Sequence, residues 1–92
     1  MKKIIDRKKY DTETAIKIGI ASWWDESVSF DQTETLYLKK TGEYFRYDEK
    51  RTTWGNICNY FKIVPISLDD AKNWVELHLN REYETIFGKV EE

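Results

Sequence analysis

The chain has 92 residues, of which 40% are hydrophobic, 15% are aromatic and 35% are charged, and its formal net charge is −2. This length has material for one hydrophobic core, so we expect a single domain over residues 1–92 and exclude an intrinsically disordered chain. The sole cysteine, Cys58, excludes an internal disulfide and a zinc site built on cysteines, and the lack of a long apolar run or a signal-peptide pattern favours a soluble, cytoplasmic protein without a membrane segment.

The first third of the chain predicts a strand, a short helix and a loop. A turn at Asp6-Arg7 beside two isoleucines indicates a short strand or a tight β-ribbon. Asp11 is a suitable N-cap for the segment TETAIKI, and Gly19 would end this helix after about two turns. Residues 21–32 mix serine and acidic residues with large aromatic residues, which indicates a loop anchored in the core.

The middle of the chain predicts a β-hairpin followed by another strand. Residues 33–40 and 43–49 alternate between apolar and polar in the strand period, and Thr41-Gly42 lies between them as a two-residue turn. Residues 57–66 form the next strand, with the sole proline near its end.

The last third predicts a helix. Ser67 is its N-cap, with Asp70 at the third position of a capping box, and an apolar stripe follows at helical spacing. After a break near Asn80, one more helical turn ends at Gly88. The order β-α-β-β-β-α predicts a small α+β domain, in which a mainly antiparallel sheet of three to four strands packs against the C-terminal helix.

The hairpin supplies the first candidate binding residues. A two-residue turn pairs Leu38 with Phe45 and therefore leaves four amphipathic residues together on the opposite face of the hairpin. These residues are Tyr37, Lys39, Tyr44 and Arg46. This face is either ordinary core under another element, a partner-binding surface, or a stacking platform for single-stranded nucleic acid. Acidic residues adjacent on both strands argue against the third interpretation.

The acidic residues of the segment after the first helix supply the second candidate group. They are Asp25, Glu26, Asp31 and Glu34. One interpretation is a solvated acidic loop, and the other is an acidic flank of a partner-binding surface that mimics nucleic-acid phosphates. Their spacing is not that of a calcium-binding loop, so we expect no metal.

The distribution of charge favours a basic partner. Residues 1–10 hold five basic residues and one acid, whereas residues 25–34 hold four acids and no base, and residues 67–92 hold seven acids against three bases. A general phosphate-backbone binder needs a broad basic face, so this pattern argues against direct nucleic-acid binding.

No catalytic signature is present. His78, the only histidine, lies on the apolar stripe of the C-terminal helix, where a boundary residue is more common than a general base. Cys58 lies in a strand without an electropositive neighbourhood, which is typical of an inert thiol. The chain has no phosphate-binding loop, dinucleotide fingerprint or activated nucleophile, so we expect no enzyme, no catalytic residue and no cofactor.

Several stretches of the chain resemble a known group of proteins. They are KKIIDRKKYDTETA, TLYLKKTGEYF, IVPISLDDAKNW and EYETIFG, and they are similar to small proteins of phages, plasmids and integrative elements of low-GC Gram-positive bacteria. The resemblance implies an inhibitor of host defence, of which anti-CRISPR proteins are one type, or a small regulator. Such an inhibitor works by stoichiometric binding to a host protein or ribonucleoprotein complex.

We therefore expect a non-enzymatic protein-binding inhibitor from a mobile genetic element, and within that class an anti-CRISPR-type antagonist of a host nuclease complex. The alternative is a small DNA-binding accessory protein or transcriptional regulator that uses the basic N-terminus. A self-assembling structural protein is a third interpretation, and the sequence leaves the oligomeric state open.

Overall fold

The computed structural model describes residues 1–25, 30–52 and 58–91. The elements are β1 (Lys2–Ile5), β2 (Lys8–Asp11), β3 (Ile16–Asp25), β4 (Phe30–Leu38), β5 (Tyr44–Thr52), β6 (Cys58–Ile66), α1 (Leu68–His78), a 3₁₀ turn (Asn80–Glu82) and α2 (Tyr83–Phe87). β1 and β2 form an antiparallel ribbon, and β3-β4-β5-β6 form an antiparallel sheet in sequence order. The predicted α+β class with an antiparallel sheet and C-terminal helices is confirmed. The predicted order β-α-β-β-β-α is wrong, because across the described residues six strands precede the helices.

The ribbon turn forms where the sequence predicts it. Asp6 and Arg7 have φ angles of 50° and 64°, so both central residues of this two-residue turn are left-handed. This is the backbone of a type I′ turn, whose twist matches that of the strands on either side. Asparagine and glycine are the usual residues there. Arg7 carries a Cβ atom, so its left-handed backbone conformation has a cost in free energy.

The helix predicted from Asp11 is wrong. Asp11 does act as a local cap, because its Oδ1 accepts a 2.9 Å hydrogen bond from the Glu13 amide. The Ala15 amide then donates to the Asp11 carbonyl at 3.1 Å, which makes one helical turn. From Ile16 onward the chain pairs with β4 as a strand. An isolated two-turn helix is marginal, and β-branched residues at positions 16 and 18 favour the sheet.

The loop predicted over residues 21–32 is also wrong, because most of it belongs to β3 and β4. Both faces of β3 carry apolar residues, which hides the alternation that identifies a strand. Ala21 packs on the core under α1 and Trp23 stacks on His78, whereas Ile20 and Trp24 alternate with them and are exposed.

The β4–β5 hairpin differs from the prediction by one residue. The Lys39 amide donates to the Glu43 carbonyl at 2.8 Å, and the Gly42 amide donates to the Lys39 carbonyl at 2.9 Å. The loop therefore has three residues, with Gly42 at a φ of 92°. Leu38 pairs with Tyr44, and Tyr37 pairs with Phe45. A register shift of one residue changes which side chains of the two strands share a face of the sheet. Residues of β4 and β5 that were predicted to lie on one face therefore lie on opposite faces.

The four-stranded sheet has an apolar cluster on each face. On one, the helix face, Leu36 is buried with Ala71, Trp74 and Val75 of α1. On the other, the ribbon face, Tyr10 of β2 is buried with Phe45 and Ile63. The sheet is therefore the middle layer between α1 and the ribbon.

Two predictions for the C-terminal helices are confirmed. The Ser67 side chain caps α1 by accepting a 3.0 Å hydrogen bond from the Asp70 amide. α2 ends at Gly88, which has a φ of 97°. No helix in the described ranges combines the length and apolar character needed to cross a membrane.

Candidate functional site

The four candidate residues of the hairpin do not share a surface. Because of the observed register, Tyr37 and Lys39 lie on the ribbon face, whereas Tyr44 and Arg46 lie on the helix face. The predicted grouping of these four side chains is therefore wrong.

The pair on the ribbon face is packed beside Tyr10. The ring of Tyr37 stacks on Phe45 with centroids 5.1 Å apart and planes at 10°. Burial, and to a smaller extent the Glu49 carboxylate, raises the pKa of the Tyr37 phenol. The Lys39 ammonium lies 4.2 Å from the centroid of the Tyr10 ring and 3.1 Å from Oε1 of Glu43. Lys39 thus contacts the ribbon directly through Tyr10, and Tyr37 packs against the apolar cluster to which Tyr10 belongs.

The pair on the helix face is also engaged within the protein. The ring of Tyr44 lies 6.1 Å from that of Phe87 in α2. Arg46 donates two hydrogen bonds to Asp48, from Nε at 2.7 Å and from Nη2 at 2.9 Å. Hydrogen bonding to this carboxylate is the main cause that raises the pKa of Arg46. Asp48 is buried, so Arg46 neutralises a charge that water reaches poorly.

Glu34 is part of the same network rather than of a solvated flank. It is only 8% exposed, and Nε of Arg46 lies 3.9 Å from its Oε1. The same oxygen accepts a 2.9 Å hydrogen bond from Nε1 of Trp74, and Oε2 accepts one of 3.1 Å from Gln32. The prediction of a solvated acidic loop is therefore wrong for Glu34. Asp31 is exposed on β4, and the Asp25 side chain and all of Glu26 lie outside the described residues.

His78 is sandwiched by tryptophans. Its ring stacks on Trp23 at 5.2 Å with planes at 4°, and it lies 5.1 Å from Trp74 at 52°. This is the boundary position that the apolar stripe predicts. The Cys58 side chain lies outside the described residues. Over the described ranges, no three His, Cys, Asp or Glu side chains form a group that could hold a metal ion.

The ribbon covers only one end of the ribbon face. At the other end, register places Ile20, Ser22 and Trp24 of β3 beside β4, while Glu49 pairs with Phe61 of β6. We call this area the open patch and define it by Ile20, Ser22, Trp24, Thr33, Glu49 and Phe61. Its three large apolar side chains are 47%, 43% and 51% exposed at positions 20, 24 and 61. β3 and β6 are the two edge strands, so apolar groups flank a more polar centre.

The centre of the open patch is shallow, polar and slightly acidic. A depression of about 560 Å³ lies between Ile20, Trp24 and the middle strands. The hydroxyls of Ser22 and Thr33 are 3.1 Å apart in a hydrogen bond. Asp31 and Glu49 line the depression with one base, Arg51, whose Nη2 lies 3.3 Å from Glu49 Oε2. The lining therefore carries one excess negative charge.

Sequence reasoning missed the apolar members of the open patch. Trp24 falls in the segment predicted as a loop, and Phe61 falls in the strand predicted over residues 57–66. The signal was present in the alternation of Ile20, Ser22 and Trp24, but it needs β3 to be recognised as a strand. No family model, curated protein or solved structure matches the chain.

Proposed function

We propose that this protein is a non-enzymatic binding protein that captures another protein through the open patch. The observation that carries the proposal is the half exposure of Ile20, Trp24 and Phe61 on the ribbon face of the sheet. The other end of this face is buried under the ribbon. Large apolar side chains gathered on one exposed face indicate an interaction surface more often than isolated ones do.

The polar centre of the patch supports a partner that is both apolar and basic. Apolar side chains of the partner would bury Trp24 and Phe61 at the two edges of the patch. Burial of large aromatic side chains is a common source of binding free energy in interfaces. Asp31 and Glu49 outnumber Arg51, so a lysine or arginine of the partner is attracted to the depression. A nucleic-acid strand would be repelled there.

The finer proposal rests on the resemblance to proteins of mobile elements. As an anti-CRISPR-type inhibitor of a host nuclease complex, the protein would act by stoichiometric occupation of a basic surface that otherwise holds nucleic acid. The acidic depression with its apolar rim fits such a surface in charge. In this proposal the binding residues are those of the open patch and exposed Asp31, in place of the four predicted on the hairpin.

The test uses a photo-crosslinking amino acid placed at position 24 or 61, and at position 77 as the control. Leu77 is 77% exposed but lies on α1. A host protein or ribonucleoprotein that is crosslinked from positions 24 and 61 only is then purified and titrated with the protein. We expect Trp24→Thr with Phe61→Thr to weaken binding at least about tenfold, because interface energy concentrates in a few apolar residues.

Threonine suits both positions because it favours strands and avoids a large change in folding. Leu77→Gln is the matched control and should bind like the wild type. Equal affinity of all variants for the purified partner would refute the role of the open patch. The nuclease activity of that partner, measured with and without the protein, tests the finer proposal separately.

A further inference from the structure

A second surface lies at the opposite end of the ribbon face, between β2 and the β4–β5 loop. It is a pocket of about 470 Å³, and its lining includes four lysines, Lys8, Lys9, Lys39 and Lys40, together with Asp11 and Glu43. Four ammonium groups against two carboxylates leave an excess of two positive charges. This volume falls in the range of roughly 300–1,000 Å³ that is usual for small-molecule sites.

Glu43 organises two of the lysines. Its Oε2 lies 2.9 Å from Nζ of Lys8, and its Oε1 lies 3.1 Å from Nζ of Lys39. Thr41 donates a further hydrogen bond of 3.1 Å to Oε1. The Lys39 side chain is also held over the Tyr10 ring and is only 13% exposed. One carboxylate therefore holds two ammonium groups in place while neutralising only one of them.

The other two lysines are available to a ligand. Lys9 and Lys40 are exposed, and neither forms an ion pair with any residue that the structure describes. They come from different elements, since Lys9 lies on β2 and Lys40 in the β4–β5 loop. Two ammonium groups on different walls of one pocket repel each other. An anion placed between them attracts both and offsets this repulsion.

We propose that this pocket binds a small anion that carries two or more phosphate groups. Lys9 and Lys40 contact the phosphate oxygens directly, and the pair held by Glu43 supplies fixed positive potential behind them. Lysine ammonium groups are compact point charges that bind phosphate without a demand for planar geometry. A multiply charged anion matches the excess charge of the pocket, whereas a neutral ligand would leave it unbalanced. This inference is independent of the open patch.

The experiment is a calorimetric titration of the full chain with inorganic pyrophosphate at low ionic strength. We expect binding that Lys9→Gln with Lys40→Gln weakens about tenfold or more, because two charge-assisted contacts are lost. The control is Lys62→Gln, which removes an exposed lysine of β6 and should change the dissociation constant less than about twofold. Asp11→Asn keeps a side-chain oxygen for the Glu13 amide and removes a negative charge, so it should strengthen binding several-fold.

Short single-stranded and duplex oligonucleotides form the second arm of the experiment. Binding of pyrophosphate that depends on Lys9 and Lys40 supports the proposal, whether or not the oligonucleotides also bind. Binding of oligonucleotides without pyrophosphate would overturn it in favour of a nucleic-acid backbone as the ligand. Absence of pyrophosphate binding, or equal binding by the Lys9/Lys40 double variant, would also overturn it.

Discussion

Nε1 of Trp74 donates a 2.9 Å hydrogen bond to Oε1 of Glu34, and this buried contact joins α1 to the centre of the sheet across 40 positions of sequence. Both residues are more than nine-tenths buried. A buried carboxylate is costly in free energy unless its oxygens accept hydrogen bonds. The position of the helix on the sheet therefore depends on this polar contact as well as on apolar packing.

Replacing Trp74 with phenylalanine should destabilise the protein by about 1–3 kcal/mol. The change removes the donor to Glu34 and leaves a buried carboxylate with one partner fewer, in addition to the loss of indole volume. Urea denaturation followed by far-ultraviolet circular dichroism measures the free energy of unfolding. Trp24→Phe is the matched control, because Trp24 is exposed, and it should cost less than about 0.5 kcal/mol. Equal costs for the two variants would contradict the buried hydrogen bond.

Replacing Arg46 with alanine should cost about 2–3 kcal/mol. The variant leaves two buried carboxylates, Glu34 and Asp48, facing each other without the cation between them. Arg51→Ala breaks an exposed pair with Glu49 and should cost less than about 1 kcal/mol. Thermal and urea unfolding of the two variants would be compared. A stability unchanged by Arg46→Ala would instead make this residue available as a binding group.

The two tight turns predict opposite effects of glycine. Arg7→Gly should stabilise the protein by about 0.5–1 kcal/mol, because glycine adopts a left-handed backbone without steric cost. The greater entropy of glycine in the unfolded chain offsets part of this gain. Gly42→Ala should destabilise it by about 1–2 kcal/mol. An added Cβ at Gly42 meets no atom within 4 Å, so this cost comes from the backbone conformation alone. Melting temperatures that move in the same direction for both variants would contradict the turn geometry.

The Lys8–Glu43–Lys39 cluster predicts a dependence of stability on pH in acid. Hydrogen bonds from Lys8, and then from Lys39, lower the pKa of Glu43 from 4.5 to about 2. The folded state thus binds the proton less tightly than the unfolded state. The stabilisation by Glu43 is complete above about pH 4.5 and is lost as the pH falls towards 2.

The measurement compares the wild type with Glu43→Gln by urea unfolding between pH 2 and 7, a range that spans both pKa values of Glu43. The difference in free energy of unfolding should shrink with acid and with added salt, because the cluster is exposed to solvent. Glu76→Gln, at an exposed position of α1, is the control for the general effect of removing one negative charge. A difference that grows with acid would have the wrong sign for this cluster.

Local chemistry explains the predictions that the structure confirms. The cap at Ser67, the end of α2 at Gly88 and the turn at Asp6-Arg7 each depend on residues a few positions apart. Such features are determined by backbone conformation and by hydrogen bonds within one or two turns of chain.

The errors arise where strand pairing, loop length or packing in the folded chain decides the structure. Asp11 caps a turn as its residue type predicts, yet the chain continues as β3 because β4 is available as a partner. The hairpin exists as predicted, but a loop of three residues instead of two separates Tyr37 from Tyr44 and Arg46. Glu34 looks like a surface acid in the sequence, and only α1 brings the indole that buries it.

The sequence by itself determined the α+β class, the antiparallel hairpin and the C-terminal helices, because hydrophobic period, caps and turn residues act over short distances. The tertiary structure decided the register of β4 and β5, the extent of β3 and the face on which each candidate residue lies. A strand has a period of two, so one residue of slip at a turn exchanges its faces, and the length of the loop is settled by the packing of the whole sheet. For this reason the candidate surface moved from the hairpin residues to Ile20, Trp24 and Phe61.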